Sequence, residues 1–178
     1  HLLDCCLRSD GGAAVIVTSA ERAQDRKKKP VYVSGMGRAN NSRGPYWGDH
    51  MVELGAKESG AQAFAMAGLT RKDISVAQIY DCFTYIALAT IEDYGFCKKG
   101  EGGPFVTGGR IELGGELPVN TSGGMLSEGY VEGMLQIVEA VRQLRGECGP
   151  RQVKDAKTAI VSGNGGNAVC HSTLILRN

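Results

Sequence analysis

Tyr80 stands between an apolar, strand-like run ending at Ile79 and a helix-like run that begins after Asp81. Ligand sites in α/β sheets gather at strand ends, so a phenol there is placed for proton chemistry. Its reference pKa of about 10 puts half-ionisation at neutral pH roughly 3 units, or about 4 kcal/mol, out of reach. A helix N-terminus supplies about 0.3–1 kcal/mol of that, about 2 when partly buried. Proton donation is therefore the easier role, with water or a residue outside this chain as the base. Two glycine-dense segments, Ser122-Gly123-Gly124 and Ser162-Gly163-Asn164-Gly165-Gly166, let backbone N–H groups approach a ligand and polarise a carbonyl. Tight connections needing positive φ would have the same composition.

Other reactive side chains have structural readings. Asp81 is suited to cap the helix that follows it, and Cys82 falls inside an apolar junction as a buried thiol. Tyr130 shares an apolar helical stripe with Met134, Ile137, Val138, Val141 and Leu144. The three histidines are His1, His50 and His171, the last in a terminal strand. Neither glycine segment has P-loop or Rossmann spacing, which disfavours nucleotide chemistry. The six cysteines lack metal-ligand or compact disulfide spacing, so free thiols and no metal are expected. Twenty basic and nineteen acidic residues give a net charge of +1, which favours neither nucleic acid nor an anionic membrane. No apolar run has the roughly 18 residues of a membrane span, and no leader pattern is seen; a cytoplasmic setting is the expectation.

The elements that must hold these residues are legible as periodicities. A strand pattern at Ala13–Val17 follows an opening without methionine, which reads as the start of a fragment. A short helix capped by Ser19, a strand at Val31–Gly35 and a polar loop from Gly37 to Gly48 come next. Val52, Ala56, Ala63, Phe64 and Ala67 predict a helix stopped at Gly68; Thr70 to Asp73 forms a capping box, and Val76 to Ile79 a buried strand. A helix follows through Tyr94, then a long glycine-rich loop to Gly124, a third helix closed at Gly146, and strands at Thr158–Val161 and Val169–Leu176. The alternation predicts an α/β layer with a mixed sheet whose strand ends bring together residues 79–83, 120–130 and 162–167.

Four segments in this order resemble the C-terminal half of the thiolase superfamily, in its sterol-carrier and lipid-transfer branch. They are Ser9 to Ala14, which resembles the last strand entry of the family's N-terminal half, then Ile79-Tyr80-Asp81-Cys82-Phe83, the stretch Leu113 to Gly124, and the glycine run after Ser162. The resemblance implies a duplicated βαβαβαββ fold with one mixed five-stranded sheet per half. Residues 1–29 would end the N-terminal half and connect it to a C-terminal-type domain at 30–178. It also implies acyl-CoA thioesters as substrates with no bound cofactor, a homodimer, and a possible small OB-fold, zinc-ribbon partner.

Three departures from the family pattern bear on mechanism. Tyr80 replaces the histidine of the branch's His-Asp-Cys-Phe motif, Gly129-Tyr130-Val131 stands where Gly-His-Pro is found, and Ser162 replaces a cysteine. Thiolysis needs a thiolate and a neutral-range acid/base, which phenols and a hydroxyl do not replace simply. Retro-aldol cleavage of a β-hydroxyacyl-CoA needs no acyl-enzyme, and the resemblance to steroid side-chain-cleaving proteins makes Tyr80 and Tyr130 its acid/base pair. The glycine segments with Ser122 and Ser162 would bind the thioester. Two alternatives stay open: an acyltransferase with its nucleophilic cysteine in an N-terminal half, and a non-catalytic acyl-CoA-binding subunit.

Overall fold

The structure is a computed structural model that describes residues 1–40, 52–166 and 168–178. Most of the predicted 37–48 loop therefore lies outside the described residues. The chain runs α1 (Ala20–Gln24), β1 (Tyr32–Asn40), α2 (Ala56–Ala67), β2 (Val76–Gln78), α3 (Thr84–Asp93), α4 (Gly102–Val106), α5 (Gly124–Ser127), α6 (Met134–Arg145), β3 (Thr158–Gly165) and β4 (Cys170–Arg177). The sheet is mixed, in the order β1-β4-β3-β2, with β2 parallel to β3 and the other pairs antiparallel.

Among the described residues it has four strands in place of the expected five. Residues 13–17 form no strand and have no ladder partner among the described residues, with Ile16 96% exposed. β1 in turn is longer than predicted: pairing with β4 carries it through Gly37 to Asn40, overriding the local glycine content.

Side-chain alternation in β3 and β4 divides the core. Ile160 and Ile175 join Ala63, Phe64, Ile91 and Tyr94 beneath α2 and α3, while Ala159, Val161 and Leu176 meet Ala140 and Leu144 of α6 on the other face. α2 lies close to β1 because Gly35 and Gly37 present no side chain. A Cβ on either would stand 2.1 or 2.0 Å from the carbonyl oxygens of Ala63 and Ser59. Gly68 and Gly146 end α2 and α6 in left-handed conformations, as predicted.

Asp81 does not cap α3, whose N-cap is Phe83 with no side-chain bond. Its buried carboxylate crosses to α5, accepting from Met125 N–H at 2.8 Å, Leu126 N–H at 3.5 Å and the Gln136 amide at 3.3 Å. Gly124, at φ +63, passes so near that a Cβ would lie 2.2 Å from Asp81 Oδ2. Burial pushes the Asp81 pKa up, and the N–H groups it accepts from hold it partly back.

Two stability predictions follow from these packed polar groups. Gly124→Ala should cost roughly 3 kcal/mol in urea denaturation, since it displaces the carboxylate or strains the backbone; an unchanged midpoint would remove Asp81 as the clamp. His171, 1% exposed, has its pKa lowered by burial from 6.5 to about 4. The unfolded chain takes up this proton first on acidification, so the contribution is complete above about 6.5 and is lost as pH falls towards 4. About 2 kcal/mol should be gone by pH 5. His171→Asn should flatten that part of the stability profile, and an identical acid slope in the variant would refute the assignment.

Candidate active site

Three separate contacts hold the end of β2. The Asn120 side chain, itself at φ +48, accepts from Ile79 N–H at 2.7 Å and donates to Ile79 C=O at 2.9 Å, as a neighbouring strand would. Its own N–H donates to Ala77 C=O, and Ala77 N–H to Pro118 C=O, so residues 118–120 cover the free edge of β2. One residue further, Tyr80 N–H donates to Ser162 Oγ at 2.8 Å. The Tyr80 ring then leaves the sheet over Gly133, where a Cβ would stand 3.4 Å from it.

Tyr130 arrives from the other side. It sits between α5 and α6, four residues before the helix on which its spacing predicted it, and it forms an isolated bridge with Arg8. The Tyr80 and Tyr130 hydroxyls are 3.2 Å apart. Burial, and then donation to Tyr130, push the Tyr80 pKa up. For Tyr130 the Tyr80 hydrogen bond acts downward, but burial and the Glu132 carboxylate outweigh it and the net shift is upward. Both phenols are thus protonated at neutral pH.

Ser162 is committed to the scaffold. Its Oγ takes the Tyr80 N–H and hydrogen-bonds the Tyr94 hydroxyl, which meets Thr173 Oγ1 at 2.7 Å. Thr173 contacts Ser59 Oγ at 2.8 Å, and Ser59 also reaches Ala56 C=O at 3.3 Å and His171 Nδ1 at 3.1 Å. A continuous hydrogen-bonded run thus links Tyr80 N–H through Ser162, Tyr94, Thr173 and Ser59 to Ala56 and His171. Among the described residues His171 Nε2 has no hydrogen-bond partner.

A cavity of about 420 Å³ opens beside Tyr80, lined also by Glu132, Arg38, Gly163, Asn164 and Gly165, with His171 in its wall. Three members of the second glycine segment thus share a cavity with Tyr80, and Gly166 forms the hairpin turn at φ +59. Ser122, Gly123 and Gly124 are not on that wall: Gly124 lies against Asp81, and Gly123 heads α5 at φ +110. Cys82 has its pKa pushed up to about 11 by burial, a protonated thiol. Arg38 and Glu132 went unmarked in the sequence. Arg38 lies beyond the predicted end of β1, and Glu132 looks like an ordinary surface acid apart from the neighbouring Gly133. Among the described residues no group of three or more His, Cys, Asp or Glu could hold a metal ion, and no helix is long and apolar enough to cross a membrane.

Residues 13–178 match the thiolase C-terminal domain-like family. The 17-hydroxy-3-oxo-4-pregnene-20-carboxyl-CoA lyase of Mycobacterium tuberculosis is 45% identical over 82% of this chain and 39% of its own length. An acetyl-CoA acetyltransferase of Methanothermobacter thermautotrophicus is 38% identical over 96% of this chain and 46% of its own. Among solved structures, the Ltp2-ChsH2(DUF35) aldolase superposes with a TM-score of 0.93 at 39% identity, covering 99% of this chain and 47% of that one. The chain spans less than half the length of the relatives it matches. On the strength of the matched span and of these identities, it belongs to the thiolase C-terminal domain-like family.

Proposed function

We propose that this chain forms one wall of the active site of an acyl-CoA carbon–carbon lyase, which cleaves a β-hydroxyacyl-CoA by a retro-aldol reaction. The observation that carries this reading is the pair of protonated phenols, 3.2 Å apart, with Tyr80 on a cavity wall. A donor of this kind suits a step in which a thioester enolate must be protonated. The Asn164 side chain, on the same wall and with its Nδ2 unpartnered among the described residues, is suited to the thioester carbonyl, with Gly163 and Gly165 leaving room for it. The lyase named above acts on a hydroxylated steroid carboxyl-CoA, and a bulky acyl group of that class is the substrate in this reading.

The rest of the assembly belongs to the same proposal. Residues 1–29 are read as the end of an N-terminal thiolase half and its connector, and 30–178 as the C-terminal-type domain. The exposed Leu3 and Ile16, at 89% and 96%, and the contacts of residues 5 and 8 with Phe83 and Tyr130 fit a companion half packed beside the site. A cytoplasmic homodimer, with a second protein as in the aldolase complex, completes it. Similarity to the acetyltransferase supports the other reading, acyl transfer through a cysteine of the N-terminal half.

The complete protein should turn over a synthetic β-hydroxyacyl-CoA, and Tyr80→Phe or Tyr130→Phe should each lower kcat by about 10²–10⁴-fold with acyl-CoA affinity little changed. Unchanged rates in both variants would sink the tyrosine mechanism, and binding without turnover in the wild type would point to a non-catalytic subunit. Iodoacetamide separates lyase from transferase. Cleavage without an acyl-enzyme should survive alkylation of accessible thiols, whereas loss of all turnover would favour the cysteine-dependent transferase.

A further inference from the structure

Cleavage by two protonated phenols needs a group to hold the β-hydroxyl proton until the α-carbon has taken one. The β-hydroxyl must give up its proton as the carbon–carbon bond breaks, and neither tyrosine is free to keep it. Glu132 shares the cavity wall with Tyr80 and lies two residues from Tyr130. Its carboxylate acts on the Tyr130 hydroxyl through charge and a hydrogen bond, and on Tyr80 through charge. Tyr80, Tyr130 and Glu132 thus form a line of oxygens that ends on a carboxylate group.

The backbone fixes where Glu132 stands. It is the first central residue, at φ +49, of a tight turn that Met134 N–H closes on Val131 C=O at 3.0 Å, with Gly133 at φ +85 as the second. The turn holds this exposed residue between Tyr130 and α6, at the edge of the cavity.

We propose that Glu132 is the terminal proton acceptor of the lyase, reached through Tyr130. This rests on the aldolase reading given to the two tyrosines. Tyr130 takes the proton of the substrate β-hydroxyl as it passes its own to the Glu132 carboxylate. The released O–H pair becomes the carbonyl π bond, and the Cα–Cβ pair moves into the thioester as an enolate. Tyr80 gives its proton to the α-carbon, and Glu132 returns a proton through Tyr130 to Tyr80. The products are a carbonyl compound and an acyl-CoA; the enzyme ends as it began, with no co-reactant.

The test uses the complete protein and a β-hydroxyacyl-CoA. Glu132→Gln should lower kcat about 10²–10³-fold with KM within a few-fold. Glu132→Asp, which keeps a carboxylate, should recover at least tenfold over Glu132→Gln. Glu132→Gly should be as slow as Glu132→Gln yet melt at the same or a higher temperature, because glycine tolerates the left-handed backbone. A merely structural residue would lose stability and activity together. A kcat for Glu132→Gln within twofold of an active wild type overturns the acceptor role alone. A wild type that cleaves no β-hydroxyacyl-CoA overturns the aldolase reading and this role with it.

Discussion

The buried carboxylate of Asp81 is the constraint on which the site's geometry depends. A carboxylate removed from water costs several kcal/mol unless N–H groups satisfy its oxygens, and here those groups come from residues more than forty positions away. Meeting that demand fixes where α5 begins, and through Gln136 it fixes α6 as well. Tyr80 precedes Asp81 by one residue, and Tyr130 lies on the short link between α5 and α6. The distance between the two phenols is thus set by a group that is neither of them. Gly124 is the chain's answer to the same demand, for any side chain there would occupy the carboxylate's own volume.

Polar networks brace this junction from both faces of the sheet. On the α2 and α3 face, the hydrogen-bonded run from Tyr80 N–H to Ala56 holds Tyr80 by its backbone and leaves its hydroxyl for Tyr130. On the α6 face, Gln78 and Gln143 donate to Thr121 Oγ1, which donates to Glu139 at 2.7 Å. Glu139 is 2% exposed, and burial raises its pKa; the Arg151 pair at 2.9 and 3.1 Å, with Thr121 and Gln143, outweighs that and keeps it low. The segment 118–121 is therefore tied to β2 on one side and to α6 on the other. A strand of only three residues can end at a fixed point because its edge, its carboxylate and both its faces are all occupied.

Local signals were legible in the sequence wherever the cause is local. The glycine stops of α2 and α6, the Ser19 cap and the Thr70–Asp73 box depend on neighbours a few residues away, and all stand where the spacing put them. Residues 13–17 have the composition of a strand, but a strand exists only as a pair. β1 outruns its predicted end for the converse reason: β4 supplies partners that a glycine-rich composition conceals. Asp81 has the chemistry of a cap, and it does cap, but the helix it serves lies across the fold. Arg38 was hidden with the extension of β1, and Glu132 in a backbone conformation that one adjacent glycine barely announces.

Ser162 shows how such a scaffold limits chemistry. Its Oγ looks like a nucleophile or a thioester ligand when only neighbouring glycines are considered. In the fold a lone pair takes the Tyr80 N–H and the hydroxyl hydrogen-bonds Tyr94, so attack on a carbonyl would first have to dismantle the support beneath Tyr80. His171 is similarly occupied at Nδ1, and its low pKa keeps it neutral at pH 7. With the Ser162 hydroxyl spent on structure, the imidazole neutral and the Cys82 thiol protonated, proton movement falls in the proposed mechanism to the two phenols and the carboxylate beside them. A phenol held above its usual pKa gives up its proton to a strong acceptor such as an enolate, or relays one by taking a proton as it passes its own on. That makes this wall suited to completing a bond cleavage and unsuited to starting one by nucleophilic attack.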